Sequence, residues 1–247
     1  MRIAIVGGKG TLGRHVTAEL ARGGHEVRVL SRSGEYQVDL STGAGLTAAL
    51  AGCDAVVDAS NAQRNARAVL VDGCGRLLAA EAEACVAHHV CVSIVGCDQL
   101  PMGYYKVKTE QEAIVAAGPV PWSIVQATQF HELAATALAA AARFRILPVP
   151  RMQLQTIAAA EVARAIAGVV TAPPVRGRVH VAGPQVLSGA EVARTWRRVT
   201  GRRALLVPVP VPGRLGRALR DGGLTAPQPD IRGTISFADW LAAGEEI

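Results

Sequence analysis

Aromatic side chains are scarce in this chain of 247 residues: three Trp, three Tyr and three Phe make up 4% of it. That supply is too small for the stacking platforms of a single-strand nucleic-acid binder. Long hydrophobic runs are missing too, with no stretch reaching the ~18 apolar residues of a membrane span. The short apolar run after Arg2 does not make a secretory leader, so the expectation is a cytoplasmic protein with no membrane partner. The five cysteines (53, 74, 85, 91 and 97) are odd in number and form no CxxC pair. This argues against a disulfide framework or a thiolate metal site. The six histidines are scattered, and the adjacent His88 and His89 would point to opposite faces of a strand, so zinc spacing is absent and no metal is expected.

Charge of one sign is in mild excess, at +6, but the basic residues are spread along the chain. Only Arg197, Arg198, Arg202 and Arg203 cluster locally, without a nucleic-acid motif, so nucleic acid is not an expected partner. The excess reads as a solvated basic surface, part of it available to an anionic cofactor. With half of its residues hydrophobic, the chain is long enough to bury a full α/β core.

Residues 1–13, MRIAIVGGKGTLG, are the most informative stretch. Ile3 to Val6 form an apolar strand, and Leu12, Val16 and Leu20 then recur every four residues, so the period changes from strand to helix across the glycines. Glycines let backbone amides approach a diphosphate, and the new helix turns its unpaired N–H groups and positive dipole end toward that charge. Gly7, Gly8, Lys9, Gly10, Thr11, Leu12 and Gly13 are therefore read as a cofactor loop. Five further apolar runs alternate with helical patterns up to Gln126, which predicts a doubly wound parallel sheet with right-handed crossovers. The expectation is one domain over 1–247. Residues 1–127 form its nucleotide-binding core, about 150–183 return to that core, and about 128–150 with 184–247 form a small C-terminal substrate lobe over the sheet's carboxyl edge.

The end of the second strand selects the dinucleotide. An acidic residue there holds the ribose 2′-hydroxyl of NAD, whereas a basic one accommodates the 2′-phosphate of NADP. Here the segment reads Leu30, Ser31, Arg32, Ser33, with no acid before Glu35, and Lys9 and Arg14 lie nearby in sequence. NADP(H) is the expected cofactor. Asp39, followed by Leu40, is placed either to meet an adenine or to cap the next helix. Ser60 and Asn61 follow the fourth strand, where contacts to the nicotinamide ribose are expected.

A second cluster carries chemistry: Ser93 at the end of the fifth strand, then Tyr104, Tyr105 and Lys108. Tyr104 and Lys108 are four apart and share a helix face. An ammonium beside a phenol favours the phenolate and lowers the tyrosine pKa, the equipment of a carbonyl reductase. Tyr105 remains the alternative acid if the helix starts one residue later. Gln129, Phe130 and His131, with Glu132, follow the sixth strand and are expected to line the substrate pocket, His131 either as a second acid/base or as a polar wall.

These pieces resemble the atypical, NmrA-like NAD(P)-binding branch of the short-chain dehydrogenase/reductase superfamily. The matching stretches are GGKGTLG, LSRS, VDL, SIVGCDQLPMGYYKVKTEQE, WSIVQATQFHE, AAAEVARAIAGVV, VHVAGPQVLSGAEVAR and ISFADWL, spread over nearly the whole chain. The resemblance implies a Rossmann fold with a C-terminal substrate lobe, and it puts Ser93, Tyr104 and Lys108 on the catalytic serine, tyrosine and lysine. Gln126 departs from it, since similar sequences often carry arginine there. The expected activity is NADP(H)-dependent reduction of a small or medium carbonyl or enone. The alternatives are an NADP sensor without turnover and a non-redox isomerase, dehydratase or cyclase.

Overall fold

A computed structural model describes residues 1–100 and 103–244. Pro101 and Met102, inside the SIVGCDQLPMGYYKVKTEQE stretch, and the last three residues of the expected lobe lie outside the described residues.

In chain order, β1 (Arg2–Val6) leads into α1 (Thr11–Arg22), β2 (Glu26–Ser31), β3 (Tyr36–Gln37), α2 (Leu46–Leu50) and β4 (Ala55–Asp58). A π-helical turn, Ala68–Asp72, opens α3 (Gly73–Glu83), followed by β5 (His88–Ile94), α4 (Gly103–Ala117) and β6 (Trp122–Ala127). Then come α5 (His131–Ala142), β7 (Ile146–Pro150), β8 (Gln153–Leu154), α6 (Ala159–Thr171), β9 (Arg178–Ala182) and β10 (Leu187–Ser188). The chain closes with α7 (Gly189–Thr200), β11 (Leu205–Val209), α8 (Gly213–Arg220), β12 (Ile231–Arg232) and α9 (Phe237–Ala242).

Eight strands form one sheet in the order β12-β9-β6-β5-β4-β1-β2-β3. β1 pairs in parallel with β2 and β4, β4 with β5, β2 with β3, and β9 with β12. The order reverses around β1, which places the glycine loop at the switch point where open α/β sheets bind ligands. This is the Rossmann-type fold expected from the alternation of strand and helix patterns. β1 and β4 read as continuous apolar runs because helices cover both faces of a parallel sheet, and Ile3, Ala4, Ile5, Val56 and Val57 are fully buried.

Two compact units divide the chain. Unit one is Met1–Ser93, Gly103–Gln126 and Val162–Val179, and unit two is Ile94–Met102, Ala127–Glu161 and His180–Ile247. The breaks fall near 94, 103, 127, 162 and 180, where the sequence pattern set them near 127, 150 and 183. Unit one has a core of Ala4, Leu30, Leu50, Val56, Cys74, Leu77 and Ile124, and unit two one of Leu147, Val192, Trp196, Phe237 and Trp240.

Unit two contains elements that the sequence does not announce. HELAATALAAAA forms α5 although it has no polar face to give it a period; His131 and Ala135 are its buried positions. β7 and β11 pair in parallel despite Pro148, Pro150 and Pro208, because a two-stranded ribbon leaves edge positions where a missing N–H costs nothing.

Candidate functional site

The loop between β1 and α1 is closed by its own backbone. Gly7 takes φ +75 and its N–H donates to the Leu30 carbonyl at 3.2 Å, while Gly10 N–H donates to the Gly7 carbonyl at 2.9 Å. A Cβ on Gly13 would lie 2.2 Å from the Gly7 carbonyl oxygen, and one on Gly7 would lie 2.7 Å from that of Ala59. These two glycines are steric requirements, the first for helix against loop and the second for loop against the end of β4. No side chain caps α1 at Gly10. The first-turn N–H groups of Thr11, Leu12 and Gly13 are thus available to an outside acceptor.

Lys9 leans from this loop to the end of β2. Its ammonium donates to the Ser33 carbonyl at 2.5 Å and to Ser33 Oγ at 3.1 Å, and Ser31 Oγ donates to the same carbonyl. Arg32 is exposed, and its charge helps to hold the Asp39 carboxyl below the usual range. The main causes of that lowering are the side-chain and backbone hydrogen bonds from Ser41. Asp39 Oδ1 accepts Ser41 N–H at 2.9 Å and Ser41 Oγ at 2.6 Å, so it closes its own turn instead of capping α2, whose N-cap is Gly45. The Leu40 side chain, expected at the cofactor, is 7% exposed and belongs to the core.

At the end of β4, Asp58 is 1% exposed. Its Oδ1 accepts Ser60 N–H at 3.0 Å and its Oδ2 accepts Gln111 Nε2 at 2.9 Å. The other end of that amide, Gln111 Oε1, accepts the Lys108 ammonium at 2.5 Å, and the Val92 carbonyl accepts it at 2.7 Å. The amide orientation follows from its two charged neighbours: oxygen to the cation, nitrogen to the carboxylate. Lys108 is 3% exposed, so a buried cation and a buried carboxylate are balanced through one amide. Ser93, on β5, is also buried.

Tyr104, at the start of α4, donates its hydroxyl hydrogen to Asn61 Oδ1 at 2.7 Å, and its ring meets that of Tyr105 edge-on at 6.2 Å. Burial, with a smaller contribution from Tyr105, raises the Tyr104 phenol above the ordinary tyrosine range. This corrects the expectation that Lys108 lowers it: the ammonium is committed to Val92 and Gln111.

Of the residues that follow β6, His131 is corrected. His131 is fully buried, its ring against Phe237 at 5.4 Å and Trp240 at 5.7 Å, with Nε2 at 3.1 Å from the Ile235 carbonyl. A ring with no accessible surface does not line an open pocket; His131 is a core residue of unit two. The Gln129 amide donates to the Leu224 carbonyl at 3.0 Å, and Phe130 is the N-cap of α5. Glu132 accepts the Ala159 N–H at 3.1 Å, at the start of α6.

Three groups escaped the sequence. Asp58 ends an apolar strand and Gln111 lies three residues past Lys108, a spacing that could have revealed the relay. Glu112, 2% exposed, accepts Gln126 Nε2 at 2.8 Å and Arg178 Nε at 2.9 Å. Gln126 and Arg178, on β6 and β9, thus share one buried carboxylate. Glu81 and His89 also form a buried ionic contact, 2.9 Å apart. Asp58, His89 and Cys91 bring possible ligand atoms within 4.8 Å of one another. Asp58 is engaged there by Ser60 and Gln111, and His89 Nδ1 by Glu81.

A nicotinamide dinucleotide fits these residues. Ser60 Oγ is buried without a partner among the described residues, beside a glycine loop whose helix has no side-chain cap.

A family model described as NAD(P)H-binding matches residues 7–173. No curated protein matches the chain in sequence. A Staphylococcus aureus nucleoside-diphosphate-sugar epimerase is similar in structure, at 15% identity and TM-score 0.82, covering 98% of this chain and 100% of that one. The Escherichia coli NADPH-dependent quinone oxidoreductase, complexed with NADPH, has 17% identity and TM-score 0.80, covering 98% and 99%. The Citrobacter sp. triphenylmethane reductase, complexed with NADP(H), has 16% identity and TM-score 0.77, covering 93% of each chain. Identities this low establish a shared fold.

Proposed function

The chain belongs to the NAD(P)H-binding family, and from that premise we propose that it is an NADP(H)-dependent oxidoreductase reducing a small or medium organic carbonyl or enone. The observation that carries the reading is the Tyr104 hydroxyl on Asn61, at 2.7 Å. The bond holds a proton donor just past β4, where the Ala59 carbonyl that follows the strand abuts the glycine loop. The quinone oxidoreductase and triphenylmethane reductase among the structural neighbours support the same class.

The first-turn amides of Thr11 to Gly13 would hold the cofactor diphosphate, with Gly7, Gly8 and Gly10 giving it backbone access. Lys9, Ser31, Arg32 and Ser33 would hold a 2′-phosphate, for which charge-assisted bonds from Lys9 and Arg32 suit a dianion. Ser60 and Asn61 would face the nicotinamide ribose. Bound NADPH supplies hydride. Tyr104, kept protonated by burial, exchanges its bond to Asn61 for one to the substrate oxygen and gives up its proton there. The phenolate left behind regains a proton from solvent. Ser93 orients that oxygen. Lys108 has three N–H donors and spends two on Val92 and Gln111, which leaves one for a ribose hydroxyl.

Purified protein incubated with NADPH and a panel of carbonyls, enones and quinones tests the reading. Acceptor-dependent NADPH consumption, lost in Lys108→Met, is the expected result; binding without consumption across the panel contradicts it. The epimerase neighbour supports a second reading, a non-redox reaction that keeps the cofactor. That reading predicts product without net change in nicotinamide absorbance.

A further inference from the structure

The beginnings of β7 and β11, with the last turn of α7, form an unusual patch on unit two. Among the described residues eight large hydrophobics are exposed, and three of them, Phe144, Ile146 and Leu205, belong to these two strand beginnings, at 78%, 46% and 67%. Leu205 and Ile146 are paired in register, and Leu205 N–H donates to the Arg145 carbonyl at 2.9 Å. Arg145 sits at φ +58, and Phe144 lies beside it within the tight turn that leads into β7.

Arginines accompany these side chains. Arg145, Arg197, Arg202 and Arg203 line a hollow of about 550 Å³ together with Leu205. None of the four forms an ion pair among the described residues. Arg197 is held by the Ala204 carbonyl at 3.1 Å and Arg202 over the Trp196 ring at 5.9 Å, so two of the guanidiniums are positioned by the protein. The C-terminal dipole of α7 favours Arg197 in its last turn, but its influence fades beyond that turn and leaves Arg145 and Arg203 unexplained.

Four cations lining one hollow with no ion pair among the described residues favour an anion, and three exposed apolar side chains on the same strand beginnings favour a partner with an apolar interior. We propose that this patch docks the protein on an anionic lipid surface, with Phe144, Ile146 and Leu205 entering the headgroup–acyl boundary and the arginines meeting lipid phosphates. A second copy of the chain would set arginine against arginine, and a small soluble anion would leave the apolar side chains in water. The inference is independent of the reductase reading and departs from the expectation of no membrane partner.

Co-sedimentation of the full chain with vesicles tests it. Neutral phosphatidylcholine vesicles are compared with vesicles that also contain phosphatidylglycerol. The expected result is retention on the anionic vesicles alone, weakened by salt. It should fall roughly tenfold or more in Arg202→Glu/Arg203→Glu, by charge attraction of about 1 kcal/mol per arginine. It should fall as well in Phe144→Ser/Leu205→Ser, at highly exposed positions where folding is unaffected, with unchanged NADPH binding as the control. Retention independent of vesicle charge, no retention, full retention of the charge-reversed variant, or binding of soluble pyrophosphate without vesicle retention would each overturn it.

Discussion

Tyr104 sits in surroundings that favour its neutral form, and this sets how a reductase built on it responds to pH. A phenol raised above the ordinary value of about 10 stays protonated through neutral and mildly alkaline pH. The acid form is the working form, so kcat/KM should be flat on the alkaline side of neutrality and fall only as the phenol ionises. An inflection near neutral pH that disappears in Tyr104→Phe would instead mean that Lys108 tunes the tyrosine in the complex. Tyr104→Phe itself should lower kcat/KM by roughly 10²–10⁴, the usual worth of a positioned acid. Cofactor choice is a residue-scale property as well. Arg32→Glu should weaken NADPH by roughly tenfold to a hundredfold, about 1.4–3 kcal/mol, while leaving NADH little changed; titration by cofactor fluorescence reads both. The positions of Arg32 and Lys108 were legible because spacing along a strand end or one helix face fixes them. The state of Lys108 was not legible: its partner Val92 lies on β5, the Asp58 carboxylate that Gln111 links to it lies on β4, and pattern alone does not show which neighbour an ammonium chooses. His131 failed for a related reason, since a histidine after a strand reads as a pocket group until Phe237 and Trp240, over a hundred residues later, fold against it.

At the scale of elements, the turn from β1 to α1 has no room for error. Gly13→Ala would force a methyl to within 2.2 Å of the Gly7 carbonyl, so the loop or the helix must shift. Loss of about 1–3 kcal/mol or more of stability and of most NADPH affinity is expected, measured by denaturant unfolding and by titration. β5 and α3 carry a second prediction. Burial disfavours charge on His89, but the Glu81 carboxylate, the Cys91 thiol and the hydrogen bond to Glu81 outweigh it and hold the imidazolium well above the ordinary histidine value. A raised folded-state pKa contributes stability that is complete below about 6.5 and is lost as pH rises through the folded value. The melting temperature should therefore drop on going from mildly acidic to alkaline pH, and Glu81→Gln should flatten that slope; an unchanged slope in the variant would contradict the assignment. Strands with apolar runs and helices with one apolar face were readable in unit one. In unit two α5 and the β7–β11 ribbon were not, because alanine-rich and proline-punctuated stretches lack the contrast on which periodicity depends.

For the whole molecule, the sheet order, the glycine loop at its switch point and the family match over residues 7–173 belong to one nucleotide-binding architecture. Ligand linkage follows: NADPH at a hundred times its dissociation constant should add about 2.7 kcal/mol to stability, visible as a rise in melting temperature. Resemblance reaches furthest at this scale, since fold is shared by proteins that differ in reaction. The reaction is the central claim, and turnover measures it most directly. Wild type, Tyr104→Phe and Lys108→Met would be given excess NADPH and the carbonyl, enone and quinone panel, and cofactor oxidation followed over many equivalents of enzyme. Many turnovers by wild type with at least one acceptor, and their loss in both variants, is the predicted result. Tight NADPH binding with no oxidation by any acceptor, or equal rates in all three proteins, would contradict it.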